Sequence, residues 1–469
     1  MFGRFRIRRI KTKPWMATAA AFVFNMCFGC INAFGNLSVY VTSYLRCMGG
    51  KEQLNFRYND THKIFCFEVV AVASSVCLSG WVQANLGIKR CSILSGILLG
   101  LSYILAGLFC HSYFALVLFL GILFGLAEGL AFSCPLASTF KHYRCNRGLV
   151  SGIVMAGTAI SPLIFGNIQT FLINPDRKWP TQGEKKNSLE LYFSDHALLI
   201  RVPNALILLG IIYGFFTITS AYIFTSKTHR SYKPKKYNVE MSESESSISS
   251  EDEISVYSGA VEKNELLGQY RLKGLSQLVM TEQFSFYWII MIFVHIFVNY
   301  FAMFWKILIL SKFPASNDFD ISLYGNIINS LSNSLGRVFF GLIGDCYGLR
   351  IVIISTCISA YMSIYLYIEV KSVWASLICT GLVFFCIGGA FICFALIAIS
   401  LYDERDFSDN VSALYTSRMV SAIATFFLVH MRSHRGHTRL CKDIMVTLAI
   451  AITGCYIVKP DVYKRRKIE

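Results

Sequence analysis

Apolar runs of about 20 residues succeed one another along almost the whole chain, and basic residues fall in the gaps between them. Twelve such runs can be placed, near 15–45, 65–85, 91–110, 112–139, 149–173, 200–225, 284–310, 321–344, 351–368, 374–401, 411–430 and 443–458. In lipid every backbone N–H and C=O must find its partner inside the protein, so each run is expected to be a helix. The expected fold class is an all-α, multi-pass membrane protein of twelve transmembrane helices. The 54% hydrophobic content, with 38 Phe and 24 Tyr, fits that class and no ordinary soluble enzyme.

The net charge of +16 could suggest a nucleic-acid partner, but the basic residues do not form one soluble face. Arg4, Arg6, Arg8, Arg9, Lys11 and Lys13 precede the first run; Lys89 and Arg90 follow the second; Lys141, Arg144 and Arg147 follow the fourth. Lys227, Arg230, Lys233, Lys235 and Lys236 follow the sixth, and Lys464 to Lys467 close the chain. By the positive-inside rule all these belong on one side, with both termini cytosolic, in the plasma membrane or an organelle membrane. The partner is then the bilayer and no nucleic acid. One stretch dissents, since Arg432, Arg435, Arg439 and Lys442 would lie on the outer side. The 16 cysteines are mostly single and inside spans, without zinc-ligand spacing, and no metal or cofactor is expected. Asn59-Asp60-Thr61, in the first outer loop, is a glycosylation acceptor if that loop faces a lumen or the exterior.

Composition changes over residues 226–282. The run MSESESSISSEDEIS, Met241 to Ser255, buries too little apolar area to offset its ordering entropy, so a disordered cytosolic linker is expected. It divides the chain into halves, 1–225 and 283–469. Ser249 and Ser250 stand three residues before Asp252 and Glu253, a spacing that suits an acid-directed kinase as well as a plain solvated linker.

The halves echo each other. GWVQANLGIKR, Gly80 to Arg90, follows the second run; GLIGDCYGLR, Gly341 to Arg350, follows the eighth. Each sets two glycines, Gly80 and Gly87 or Gly341 and Gly348, at a helix end before a basic residue. Repeats of this kind mark secondary transporters whose site lies between the halves. The second copy resembles the G-x-x-x-D-R-x-G-R-R loop of the major facilitator superfamily, matching it at Gly341, Asp345, Gly348 and Arg350. The first copy has Ala84 and Asn85 where the family has an acid and an arginine. The resemblance implies the major facilitator fold of two six-helix halves, with these loops governing the conformational change.

Two arginines, Arg337 and Arg418, lie deep in the eighth and eleventh runs. A guanidinium cannot shed its proton, and at a helix centre in lipid it costs roughly 2.5–3.5 kcal/mol even on a lenient scale. An acid, a ring of carbonyls or a transient anion must compensate each. Arg337 is seven residues from Gly344 and Arg418 seven from Val411, near the same membrane face, so both sit roughly 10 Å deep. Three stretches, NSLSNSLGRVFFGLIGD, ALYTSRMVSA and NRGLVSGIVMAG, are similar to those of the oxalate:formate antiporter family and its monocarboxylate-transporter relatives. That resemblance implies carboxylate binding by Arg337 and Arg418, the latter standing where the family has lysine. Asn333 replaces the aspartate that proton-coupled monocarboxylate transporters carry four residues before the arginine, and the first span from Trp15 to Tyr44 has no lysine, so their route to proton symport is not reproduced.

Glu128, in LFGLAEGLAFSCP, is an acid inside the fourth run. It could carry a proton, act as counter-ion to an arginine, or support a helix end. Asn32, Asn36 and Tyr40 share one face of the first span, and His295 and Asn299 form a similar pair in the seventh; lining a cavity and gluing helices are both open. Gly121, Gly125 and Gly129 read as helix packing. Nothing resembles an ATP-binding loop or a catalytic set. The reading is a transporter, and no enzyme, moving a small organic anion by alternating access; an amino acid or other zwitterion, and a sensor signalling through the 226–282 linker, are the alternatives.

Deleting Glu240 to Glu253 is expected to leave folding and solute flux largely intact, because an acidic polar segment contributes no core. Flux in proteoliposomes, with limited proteolysis cutting first in this segment of the parent protein, checks it; loss of all flux would make the segment an obligatory element.

Overall fold

The computed structural model describes residues 13–49, 56, 58–143, 146–176, 178, 182–183, 191–226, 281–313, 318–401, 407–432 and 437–457. Most of the 226–282 linker, with Ser249 and Ser250, lies outside them.

Twelve helical runs occur where the apolar pattern places them. In the first half they are α1 (Pro14–Met48), α2 (Tyr58–Leu86), α3 (Ile88–Leu108), α4 (Tyr113–His142), α5 (Arg147–Ile173) and α6 (His196–Phe224). In the second half they are α7 (Glu282–Lys312), α8 (Asp318–Tyr347), α9 (Leu349–Glu369), α10 (Val373–Leu401), α11 (Phe407–Arg432) and α12 (His437–Ile457). Nine are long and apolar enough to span on composition alone; α8, α11 and α12 are diluted by Asn, Ser, Arg and Lys. The helix α12 starts at His437, so Arg439 and Lys442 ride its exposed first turns instead of a loop. Likewise Asn59 falls in the first turn of α2, and Thr61, whose hydroxyl the sequon needs, is fully buried against Thr42. The expected outer-loop acceptor is therefore part of a helix.

Small residues set the packing, as they must where lipid is as apolar as Leu and close backbone approach supplies the attraction. In α4 the glycines 121, 125 and 129 all face α2, and a Cβ on Gly125 would sit 2.6 Å from the Glu68 carbonyl oxygen. Side chains such as Phe171, Phe215 and Leu335 point outward to lipid.

Between halves, α8 packs on α5 and α11 packs on α2. The turns at Gly87 and Gly348 have matching φ of 79° and 85°, each opening the next helix, a conformation that favours glycine. Both lie at the basic end of the bundle, and there the halves meet. Asp345 accepts hydrogen bonds from the backbone N–H groups of Gly148 and Leu149, at 2.7 Å each, at the N-terminus of α5. Gly148 and Gly341 make this approach possible, since a Cβ on either would lie 2.3 Å from the other's carbonyl oxygen. Ser79 and Ser412 hydrogen-bond at 3.0 Å, and Phe140 meets Phe407 edge to face. In the same place the first half offers Ala84 and Asn85, so among the described residues the carboxylate clasp is seen on the α5–α8 side. Phe407 therefore starts α11 at the basic end, and Arg350, which donates to the Tyr456 carbonyl at 3.3 Å, brings the end of α12 back to it. The ends of α11 at Arg432 and of α12 at His437 therefore lie away from the basic end, which leaves the dissent of Arg432, Arg439 and Lys442 in place.

Asp345→Ala removes two hydrogen bonds to a carboxylate and a favourable helix-end charge. The expected loss is about 1–2 kcal/mol of closure at this end, a five- to thirtyfold population shift. Thiol labelling of a cysteine introduced at the buried Ser79, in a background lacking the exposed native cysteines, should accelerate accordingly; an unchanged rate would show that the clasp does not hold the closed state.

Candidate functional site

The centre of the bundle is organised by α8, where Asn329, Asn333 and Arg337 recur on one face at helical spacing. Its small residues wedge it between two neighbours. A Cβ on Gly152 of α5 would lie 2.4 Å from the Arg337 carbonyl oxygen, and one on Gly388 of α10 would lie 2.4 Å from that of Asn333. The Arg337 side chain, 4% exposed, therefore projects into protein and not lipid. Its Nη1 donates to the Met155 carbonyl at 2.7 Å and to the Thr158 hydroxyl, and its Nε donates to Asn333 Oδ1 at 3.3 Å.

The guanidinium of Arg337 also lies over the ring of Phe391 on α10, 4.7 Å from its centroid. Arg418, half-buried on α11, lies 4.9 Å from the same centroid. Two cations thus share one ring. Arg418 Nη1 donates to the Tyr415 hydroxyl, and Tyr415 packs against Phe132 of the other half, with centroids 4.5 Å apart. Among the described residues no carboxylate lies within ion-pair distance of either guanidinium. A cation–π contact is worth about 0.5–2 kcal/mol, while a buried ion carries a desolvation penalty of several kcal/mol, so the ring and neutral oxygens leave both charges under-compensated.

The other expected residues distribute around this pair. Asn32 is exposed in a 3-10 break of α1, Gly29–Ala33, and donates at 3.2 Å to the carbonyl of Thr158, whose hydroxyl accepts from Arg337. Gly35 nearby has nothing within 4 Å of a built Cβ, which marks open space. Asn36 instead donates to the Gly166 carbonyl at 3.1 Å and to the Thr170 hydroxyl at 3.1 Å, and Tyr40 stacks on Phe193 at 5.3 Å. Both thus fasten α1 away from the arginines. His295 is fully buried behind Phe391, packed between it and Phe394, with Nδ1 on the Met291 carbonyl. Asn299 donates to Ser421 at 3.1 Å, an α7–α11 contact.

Glu128 makes no ion pair among the described residues. A π-helical stretch, Val117–Leu123, precedes it, and Gly125, one turn earlier on α4, lies against the backbone carbonyl of Glu68 on α2, a residue 4% exposed. Sequence reasoning passed over Glu68 and Phe391. The first carried the same signal as Glu128, an acid beside apolar residues in FCFEVVAV; the second, one of 38 Phe, carried none.

Comparison with known proteins decides the family. The profile of the Major Facilitator Superfamily matches residues 51–427. The chain belongs to the Major Facilitator Superfamily. Its fold is similar to that of the proton:xylose symporter XylE bound to 6-bromo-6-deoxy-D-glucose, with a TM-score of 0.66 over 95% of this chain and 94% of that one at 10% identity. In sequence this superfamily member is 22% identical to apicoplast pyruvate carrier 1 of Toxoplasma gondii, over 89% of this chain and 84% of that protein. It is 35% identical to the uncharacterized MFS-type transporter YhjX of Escherichia coli K12 over a shorter stretch, 22% of this chain and 25% of that one. It is thus an integral, multi-pass membrane protein of a transporter family.

Truncating either arginine is expected to weaken carboxylate binding by about 2–5 kcal/mol, at least tenfold, because the anion is left desolvated beside a missing partner. Arg418→Lys should retain partial binding, whereas Arg337→Lys loses the fork that engages three neighbours and should do markedly worse. Equilibrium binding of labelled short carboxylates to folded, purified variants checks this; parental affinity in both Arg337→Ala and Arg418→Ala would reduce the pair to a structural role.

Proposed function

We propose that this protein is a secondary active transporter of a small monocarboxylate of the pyruvate type, bound between Arg337 and Arg418 and moved by alternating access. The observation that carries the reading is the pair of guanidinium groups on one ring without an ion-paired acid among the described residues. A carboxylate entering there accepts bidentate hydrogen bonds and neutralises one of two mutually repelling charges, while the apolar face of the solute meets Phe391. The similarity to a protein named as a pyruvate carrier supports the same class of solute. The likeness to the oxalate:formate antiporter family rests on the quoted motifs, of which Arg418 for lysine is the main departure.

With the basic end cytosolic, the Asp345 clasp and the Ser79–Ser412 contact close the described conformation toward the cytosol. Release follows when α5 and α8 part at Gly148 and Gly341 and the halves rock about the site. Because Arg337 of one half donates to Met155 and Thr158 of the other, that motion also disturbs the hydrogen bonds of the binding arginine, and the site changes as the gate does.

Purified protein in liposomes should exchange internal pyruvate for external labelled pyruvate and be competed by short monocarboxylates more strongly than by amino acids. Stronger competition by amino acids would replace this reading with zwitterion transport; binding without flux would replace it with a sensor.

A further inference from the structure

One polar side chain on the arginine-bearing face of α8 has nothing to bond. Asn329 is 3% exposed, and among the described residues neither its Oδ1 nor its Nδ2 has a hydrogen-bond partner. The packing around it explains the want of one. One turn before, a Cβ on Gly325 would lie 2.3 Å from the Trp305 ring of α7 and 3.3 Å from Leu377 of α10. Beside it, a Cβ on Gly381 of α10 would lie 2.5 Å from Ile328. These are carbon surfaces. An amide sealed against them loses the bonds that water would give it, and a buried amide left in that condition is rare in a native protein.

Its place on the helix says what kind of partner it can meet. Asn326, Asn329, Asn333 and Arg337 fall on one side of α8, with Asn326 exposed and Asn333 half-buried. Arg337 reaches back along the helix, since its Nε donates to Asn333 Oδ1. Its guanidinium thus stands near the level of Asn333, and Asn329 lies one turn, roughly 5.4 Å, beyond it. A solute whose carboxylate rests on the guanidinium leaves that gap to be closed. Two hydrogen bonds of about 2.9 Å, one at each end, close it when a second oxygen sits on the carbon next to the carboxylate. A bare methylene there leaves the amide as unpaired as before.

We propose that Asn329 reads an oxygen on the second carbon of the solute, making this a site for short 2-oxo and 2-hydroxy acids over unsubstituted acids of the same length. This rests on the anion reading above and adds the specificity to it. The amide carries two donors and an acceptor, so it donates to the oxygen of a 2-oxo acid and also accepts from the hydroxyl of a 2-hydroxy acid. In the empty protein it has no hydrogen bond to break, so turning toward the solute sacrifices none. The gain therefore appears as affinity for solutes that carry the oxygen, and those without it forgo it. Arg337 and Arg418 hold the carboxylate that all such acids share; Asn329 tells them apart.

The test uses the full chain, purified, with labelled pyruvate displaced by lactate and by propionate, acids of equal length that differ at the second carbon. The parent protein should hold pyruvate and lactate at least about tenfold more tightly than propionate, the ratio that one buried hydrogen bond supplies. Asn329→Leu keeps the volume and branching and removes the amide. It should bind all three acids about equally, with propionate held as the parent holds it. Asn329→Ala gives the same readout should the leucine variant fail to insert. A parent that holds propionate as tightly as pyruvate, a preference that survives in the variants, or a uniform weakening of all three acids would overturn the role of Asn329 and leave the anion site standing. A parent that binds none of the three would overturn both.

Discussion

The structure turns on a charge that cannot be removed. A guanidinium stays protonated at any accessible pH, so a helix that carries one into the membrane must be enclosed by other helices. For α8 the enclosure is built from small residues. Gly152 and Gly388 admit the neighbouring backbones, Ser334 donates to the Ala156 carbonyl, and the Met155 carbonyl and Thr158 hydroxyl take two of the arginine's donors. The same contact that solvates Arg337 is also the longest seam between the halves, running to Gly148 and Gly341 at the basic end. The proposed binding residue and the proposed gate thus share one helix pair, an arrangement that would suit alternating access.

The two ends of this seam use different physics. At the basic end the carboxylate of Asp345 is exposed and pairs with free N–H groups of a helix terminus, a contact that salt and solvent weaken and that can break and re-form readily. In the interior the contacts are buried, and breaking them without replacement is costly. Among the described residues the clasp is on the α5–α8 side, since Ala84 and Asn85 leave α2 without the equivalent acid; there Ser79 and Ser412 meet as neutral hydroxyls.

Much of this was legible in the sequence for reasons of solvent. A helix in lipid has to advertise itself in about 20 apolar residues, so the number and order of spans, and the depth of Arg337 and Arg418, could be read by counting. The polar stripe of α1 was legible as a stripe but not as a function, because Asn32, Asn36 and Tyr40 share a helix face while their partners on α5 differ at each turn. Sequence spacing fixes a direction around one helix and says nothing of what stands opposite. Phe391 shows the limit most clearly: an aromatic in an entirely apolar span acquires its role only from two cations that arrive from α8 and α11. Glu68 was within reach of the same argument that singled out Glu128, but its importance depends on a close helix approach at Gly125 that the small-residue spacing suggested without naming its partner.

The site that emerges is divided between the halves by sign. The second half contributes both cations, Arg337 and Arg418, and the first contributes the two acids, Glu68 and Glu128, with Tyr415 and Phe132 in contact where the halves face each other. Across such an interface the charges of the two halves act on one another at low dielectric, where separating opposite charges costs several-fold more than in water.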